Sequence, residues 1–307
     1  MQEKYVNPFT DFGFKKIFGE EPNKDLLIDF LNQVLPPHHQ IQDLTYLNTE
    51  HLGLAELDRK VMFDLYCESP GGEKFIVEMQ KANQNFFKDR SVYYATFPIR
   101  QQAKKGAIWD YQLSAVYFVG ILDFVFAENI NNGEVLHEVK LKNKFGAVFY
   151  DKLTFIYLEM PKFTKTLEEL ETSFDKWLYV LQHLPRLQER PAKLQERVFR
   201  KLFELAQIGK FNPAEMQQYE ESLKVYWDMH AVVETAFDEG EAKGKIAGLA
   251  EGEAKGKIAG LAEGEARGKI VGKVEVAKNL LRLGLANETI VQATGLSRAE
   301  IESLRNE

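Results

Sequence analysis

Apolar and polar residues alternate with a period of two along Lys60–Cys67 and again along Lys74–Gln80, and Ser69-Pro70-Gly71-Gly72 separates the two runs. Period-two alternation bounded by turn residues predicts two β-strands joined by a tight turn, because successive strand side chains point to opposite faces. Val61, Phe63, Leu65 and Cys67 are expected on one face and Met62, Asp64 and Tyr66 on the other. In the second run Phe75, Val77 and Met79 share a face, which leaves Ile76, Glu78 and Gln80 opposite. If the polar faces coincide, Asp64, Glu78 and Gln80 converge on one sheet surface.

Around this hairpin the pattern changes to helical spacing and back. Pro8–Gly19 opens with a turn, then a short helix carrying Phe12, Phe14, Ile17 and Phe18; Asp11 near its start reads as a helix cap. Asn23–Leu35 places Leu26, Leu27, Phe30, Leu31 and Val34 at helical spacing and is stopped by Pro36-Pro37; His38-His39 beside them read as a loop pair. Gln40–Asn48 is expected to be the first strand, and Phe86–Lys105 a long helix kinked or ended by Pro98. Leu113–Phe126 is a near-continuous apolar run suited to a buried central strand, followed by strands at Val135–Lys142 and Leu153–Met160. Leu167–Leu184, Arg190–Ile208 and Pro213–Phe237 then read as amphipathic helices, with Trp177, Tyr179, Tyr226 and Trp227 as packing residues.

A repeat of period twelve follows, with Gly at every fourth position from Gly240 to Gly272. Nine interior glycines weaken an isolated helix by roughly 9 kcal/mol relative to Ala, and a twelve-residue period overshoots whole turns by ~120°, so the repeat's Ile and Leu residues form no single stripe. The segment reads as a spacer or as a seam where chains pack backbone to backbone. From Val274 onward good helix grammar returns: Gly284 and Gly295 as stops, Asn287 as a start and Ser297-Arg-Ala-Glu300 as a capping box. Three short helices at this spacing fit a helix-turn-helix-like unit, while the low net charge there equally fits self-association or autoregulation. The expected domains are residues 1–163, a helical extension over 164–238, the repeats over 239–273 and a small helical tail over 274–307.

Composition adjusts this picture modestly. With 307 residues, 45% hydrophobic and 12% aromatic, the chain is globular and long enough for a sizeable core. The single Cys67 excludes an internal disulfide and a CxxC zinc site. No apolar run reaches membrane-spanning length and no signal-peptide pattern opens the chain, so no membrane partner and a cytoplasmic location are expected. The net charge of −7 opposes tight nonspecific nucleic-acid binding over the whole surface, but Lys88, Arg90, Arg100, Lys104 and Lys105 against Asp89 leave a local +4. A basic strip beside acidic ligands draws phosphates toward carboxylates that repel them.

Two carboxylates and an amide on an apolar sheet are costly unless a cation or a wet cleft receives them; a solvated face of an antiparallel sheet is the plainer alternative. The order Asp64, thirteen residues, Glu78-x-Gln80 resembles the D…(D/E)xK signature of PD-(D/E)XK nucleases, with Gln80 where a Lys would stand. Asp11-Phe-Gly-Phe-Lys-Lys-Ile-Phe18 and Arg90-Ser-Val-Tyr-Tyr94 are similar to the opening and post-motif helices of the Rpn-type recombination-promoting nuclease or transposase family. The resemblance spans roughly residues 5–160. It implies an α/β fold, a restriction-endonuclease-like mixed sheet flanked by helices with a helical C-terminal extension, and hydrolysis of double-stranded DNA assisted by Mg²⁺ or another divalent cation. It implies Asp64, Glu78 and Gln80 as catalytic residues, Asp64 and Glu78 as metal ligands with Asp11 as a third candidate, and a Met79-side backbone carbonyl as a further donor. Arg90, Tyr94, Lys15 and Lys16 become supporting residues, with Arg90, Lys15 or Lys16 supplying the charge that Gln80 lacks. Lys81 is expected to face away. The rival is a catalytically weak DNA-binding protein assembling as a homo-oligomer through its C-terminal helices, with repeat and tail regulating assembly.

Overall fold

A computed structural model describes residues 3–37, 39–51, 61–103 and 110–306. His38, Lys60, Lys104 and Lys105 lie outside them. The chain divides into two compact units, Met1–Val233 and Glu234–Glu307.

In the first unit, helices α1 (Asp11–Phe18) and α2 (Lys24–Val34) precede short strands β1 (Thr45–Tyr46), β2 (Glu50–His51) and β3 (Val61–Met62). Then come β4 (Leu65–Glu68), β5 (Lys74–Gln80), α3 (Phe87–Gln101), β6 (Val116–Leu122), β7 (Leu136–Lys142) and β8 (Val148–Glu159). Helices α4 (Ser173–His183), α5 (Arg197–Leu205) and the first part of α6 (Pro213–Arg282) complete the unit. Six strands form a mixed sheet in the order β1-β4-β5-β6-β8-β7, while β2 and β3 pair separately. The β4–β5 hairpin is antiparallel, β5, β6 and β8 run parallel, and β7 closes the far edge antiparallel to β8. This is the α/β sheet-and-helix architecture expected from the alternating pattern.

The sheet separates two apolar layers. Leu65, Cys67, Phe75, Val77, Tyr117, Val119 and Ile156 pack against α1, α2, α4 and α5. Tyr66, Ile76, Phe118, Leu122 and Tyr157 pack on the other side against Phe87, Ala95 and Phe97 of α3. All five apolar positions expected in α2 are buried. Trp177 is fully buried among Phe18, Phe30 and Phe199, and its indole N–H donates to Asp29 Oδ1 at 2.7 Å.

Several sequence-based expectations change. Lys60–Cys67 is not one strand: Val61–Met62 and Leu65–Glu68 belong to different sheets, and Phe63 joins Tyr66 in the α3-side layer instead of sharing a face with Leu65 and Cys67. Of Gln40–Asn48, only Thr45–Tyr46 forms strand, continued by the Leu47 N–H, which donates to the Tyr66 carbonyl at 2.8 Å. The first helix is capped by Thr10, whose hydroxyl accepts from the Gly13 N–H at 3.0 Å, so Asp11 is the first helical residue and not the cap. Helix α3 runs through Pro98 without ending there. The stretch Leu167–Leu184 is divided by a second cap: a single 3₁₀ turn at Leu167–Glu169, then α4 behind the Thr172–Asp175 capping box. Helix α5 spans only Arg197–Leu205 of the expected Arg190–Ile208. Trp227 is 55% exposed and does not pack in the core.

In the second unit, the remainder of α6 carries the whole glycine repeat as helix. Helices α7 (Asn287–Thr294) and α8 (Arg298–Arg305) follow, and Ala277, Ile290, Leu296 and Ile301 form a small core with Val274, Leu281 and Leu304. Gly284 and Gly295 adopt φ of +78° and +69°, the left-handed conformation that ends helices. Asn287 is the first residue inside α7, with Ala286 at the cap position. Ser297 and Glu300 form the expected capping box.

Candidate active site

The hairpin ladder ends at the Leu65–Val77 pair, so the next rung sets Asp64 opposite Glu78. There the carboxylates replace the carbonyls of the missing ladder. Glu78 Oε1 accepts from the Asp64 N–H at 3.1 Å, and Asp64 Oδ2 accepts from the Met79 N–H at 2.8 Å. The two acidic side chains are thereby locked beside each other at the point where β4 and β5 separate. Glu78 is only 6% exposed, and burial, then the Asp64 charge, push its carboxyl well above the usual carboxylate range despite Arg90 nearby. Burial likewise raises Asp64, against the Met79 N–H that favours its charged form.

Gln80 is buried on the same strand face as Glu78. Its side-chain amide donates to the Ala82 carbonyl at 3.2 Å, and its carbonyl oxygen accepts from the Arg90 guanidinium. Arg90 also donates to Gln84 Oε1 at 2.6 Å and stacks 5.8 Å from the Tyr94 ring, as one-turn spacing on α3 requires. Tyr94 is half-buried against Phe63. Its hydroxyl is raised by burial and then by the Glu78 charge. Asp64, Glu78, Gln80, Arg90 and Tyr94 are therefore assembled in one neighbourhood.

On the α1 side, Asp64 opens into a cleft of about 770 Å³ whose walls include Asp11, Lys15, Lys81, Tyr46 and Ser222. Asp11 and Lys15 pair at 3.0 Å, one turn apart and exposed. Lys16 also borders the cleft but is held by Glu20 at 3.1 Å and Glu215 at 2.7 Å. Lys81 points where the sequence predicts. Strand parity turns it away from Glu78 and Gln80, yet it shares the cleft with Asp64 because the break at Phe63–Asp64 swings Asp64 toward that side. Burial lowers the Lys81 ammonium, while Asp11 and Asp64 favour its charge. The cleft wall formed by Gln218, Glu221 and Ser222 of α6 was not legible as part of the site, since these residues lie about 150 positions from Asp64 and carry no local motif.

Two adjacent hard-oxygen donors, both raised by burial, are the donor set a divalent cation satisfies. Mg²⁺ retains several waters and needs only one or two carboxylates. Among the described residues no group of three or more His, Cys, Asp and Glu side chains is gathered closely enough to hold a metal.

Residues 8–236 match the family described as PD-(D/E)XK nuclease family transposase. The chain belongs to this family. Residues 271–306 match the C-terminal HTH domain of the Rpn/YhgA-like nuclease family, which covers the end of α6 together with α7 and α8. Comparison with curated proteins and with solved structures gave no match. In this PD-(D/E)XK chain the Asp64…Glu78-x-Gln80 order falls inside the matched region, and a nuclease fold with an HTH domain implies DNA as the partner. Among the described residues no helix is long and apolar enough to cross a membrane.

Proposed function

We propose that this chain is a cytoplasmic, divalent-metal-dependent endonuclease that hydrolyses phosphodiester bonds of double-stranded DNA in recombination, mobile-element or defence settings. The observation that supports this most directly is the reciprocal lock between Asp64 and Glu78 at the end of the β4–β5 ladder. Asp64 and Glu78 hold the cation, Mg²⁺ by the chemistry of two hard oxygens. When bound, such an ion lowers the pKa of a coordinated water and neutralises charge building on the phosphate. Arg90, fixed by Gln80 and Gln84, supplies the positive charge missing from the motif's third position. Gln80 orients Arg90 and leaves its own amide committed to the Ala82 carbonyl. On the other side, Lys15 and Lys81 draw a phosphate into the cleft, and Tyr94 supports the Arg90 guanidinium from the α3 face. Lys16, engaged by two glutamates, sets the α1 surface against α6, and Asp11 balances Lys15 at the cleft mouth.

The test is supercoiled-plasmid cleavage with Mg²⁺ or with chelator, comparing the unaltered protein with Asp64→Ala and Glu78→Ala. Either substitution is expected to lower the rate at least ~100-fold, the order found when one charge-stabilising group is removed from a site. Equal cleavage by all three proteins removes the assignment. The same reading includes a homo-oligomer assembled through the C-terminal helices. A chain ending at Asp238 is expected to keep cleavage while losing assembly.

A further inference from the structure

The repeat portion of α6 leaves large apolar side chains in solvent: Ile258 is 70% exposed and Leu261 66%. Each repeat also carries charge in blocks: Glu239 and Glu241, then Lys243 and Lys245; Glu251 and Glu253, then Lys255 and Lys257; Glu263 and Glu265, then Arg267 and Lys269. Inverting this segment about Ala254 sends every acidic block onto a basic one. The same inversion sets Ala247 at the level of Leu261 and Ala250 at the level of Ile258. Ala247, Ala250, Ala254, Ile258 and Leu261 follow at spacings of three, four, four and three. At ~100° per residue they fall within about 80° of one another, a single stripe despite the drift of the twelve-residue period. Lys243 and Glu265 extend that stripe at its two ends.

We propose that two copies of this chain pair through this stripe as an antiparallel, two-fold symmetric helix pair centred on Ala254. Large side chains of one copy fill the space left by alanines of the other: Leu261 against the partner's Ala247 and Ile258 against the partner's Ala250. Lys243 meets the partner's Glu265 at both ends. Packed helices lie ~8–10 Å apart, about one screening length at physiological salt, so the charge blocks of the two copies attract at every level of the axis. A parallel in-register pair sets like blocks side by side, and a shifted parallel pair leaves unpaired ends that propagate instead of closing. The self-complementarity of the charge pattern is what selects a second copy over an unrelated partner. Intrahelical pairs such as Lys255–Glu251 at 2.6 Å and Arg267–Glu263 at 2.6 Å are exposed and weak, so they yield to assembly. Gly248, Gly252, Gly256 and Gly260 fall on the opposite side of the helix, where nothing lies within 4 Å of an added Cβ.

The inference rests on the oligomer reading above and is independent of the cleavage reading. Sedimentation equilibrium of the full chain is expected to give a dimer. Ile258→Asp with Leu261→Asp is expected to raise its Kd at least ~100-fold, since four large apolar side chains leave the interface. Gly252→Ala with Gly256→Ala is expected to leave the Kd unchanged. Direction is read from disulfides, the native Cys67 being buried. Ala247→Cys mixed with Leu261→Cys is expected to cross-link, and Ala247→Cys alone is not. A monomer in the unaltered protein overturns both the oligomer reading and this inference. A dimer that cross-links through Ala247→Cys alone, or that fails with the Gly→Ala pair and survives the double Asp variant, overturns only this inference.

Discussion

At the residue scale, Asp64 and Glu78 both lose water on folding, and the Asp64 charge further raises the cost of ionising Glu78. Their raised pKa values mean that the metal-free native state binds protons more tightly than the unfolded chain. Stability is then complete below the ordinary carboxylate range and falls as pH rises toward the raised values. Glu78→Gln keeps an acceptor for the Asp64 N–H and removes the buried charge. It is therefore expected to raise the Tm of the chelated protein at neutral pH, with a gain that disappears as pH falls through the ordinary carboxylate range; a gain that persists in acid refutes the account. Adding Mg²⁺ is expected to raise the Tm of the unaltered protein and not that of Glu78→Gln, because only ionised carboxylates hold the cation. Both acidic residues were legible from spacing, since period-two alternation fixes which side chains share a face. Lys81 faces away from Glu78 and Gln80 as parity requires; its sharing a cleft with Asp64 was not readable, because parity holds only while both strands stay paired and pairing lapses beside Asp64.

At the scale of elements, α3 carries Arg90 against Gln80, and α4 is tied to α2 through Trp177 and Asp29. Arg90→Lys retains charge but loses the fork that reaches Gln80 and Gln84 together, so plasmid cleavage is expected to fall about tenfold or more while the fold persists by circular dichroism. Trp177→Ala opens a large cavity among Phe18, Phe30 and Phe199, and urea unfolding is expected to show a loss of about 3–5 kcal/mol. The α2 stripe and the buried β6 run were readable because long periodic or continuous apolar segments leave little choice of structure. Helix starts were less so. Thr10 rather than Asp11 caps α1, and the two Thr-led capping boxes divide what amphipathicity alone reads as one helix.

For the whole molecule, the core around the sheet lies entirely in the unit Met1–Val233. Removing residues after Asp238 is expected to leave cooperative unfolding of that unit intact and to weaken DNA binding, because the matched HTH domain at 271–306 is lost. Gel-shift titration at fixed salt measures the second effect, and unchanged affinity excludes the HTH unit as a DNA contact. The repeat illustrates a limit of propensity. Nine glycines argue against an isolated helix, yet α6 is continuous through them. The i to i+4 pairs along it, Lys243–Glu239 at 3.2 Å and Lys269–Glu265 at 2.7 Å among them, recover only a fraction of that cost.

The sequence by itself determined the faces of β5, the apolar stripes, the Asp64…Glu78-x-Gln80 order and the family to which they belong, because these depend on local period and spacing. Tertiary structure decided which groups meet from distant parts of the chain: Arg90 on Gln80, Lys81 and Ser222 in the cleft of Asp64, and Trp177 on Asp29. Local spacing constrains a residue's direction along its own element. Burial, and with it the charge state of Asp64 and Glu78, is set only when separate elements close around them.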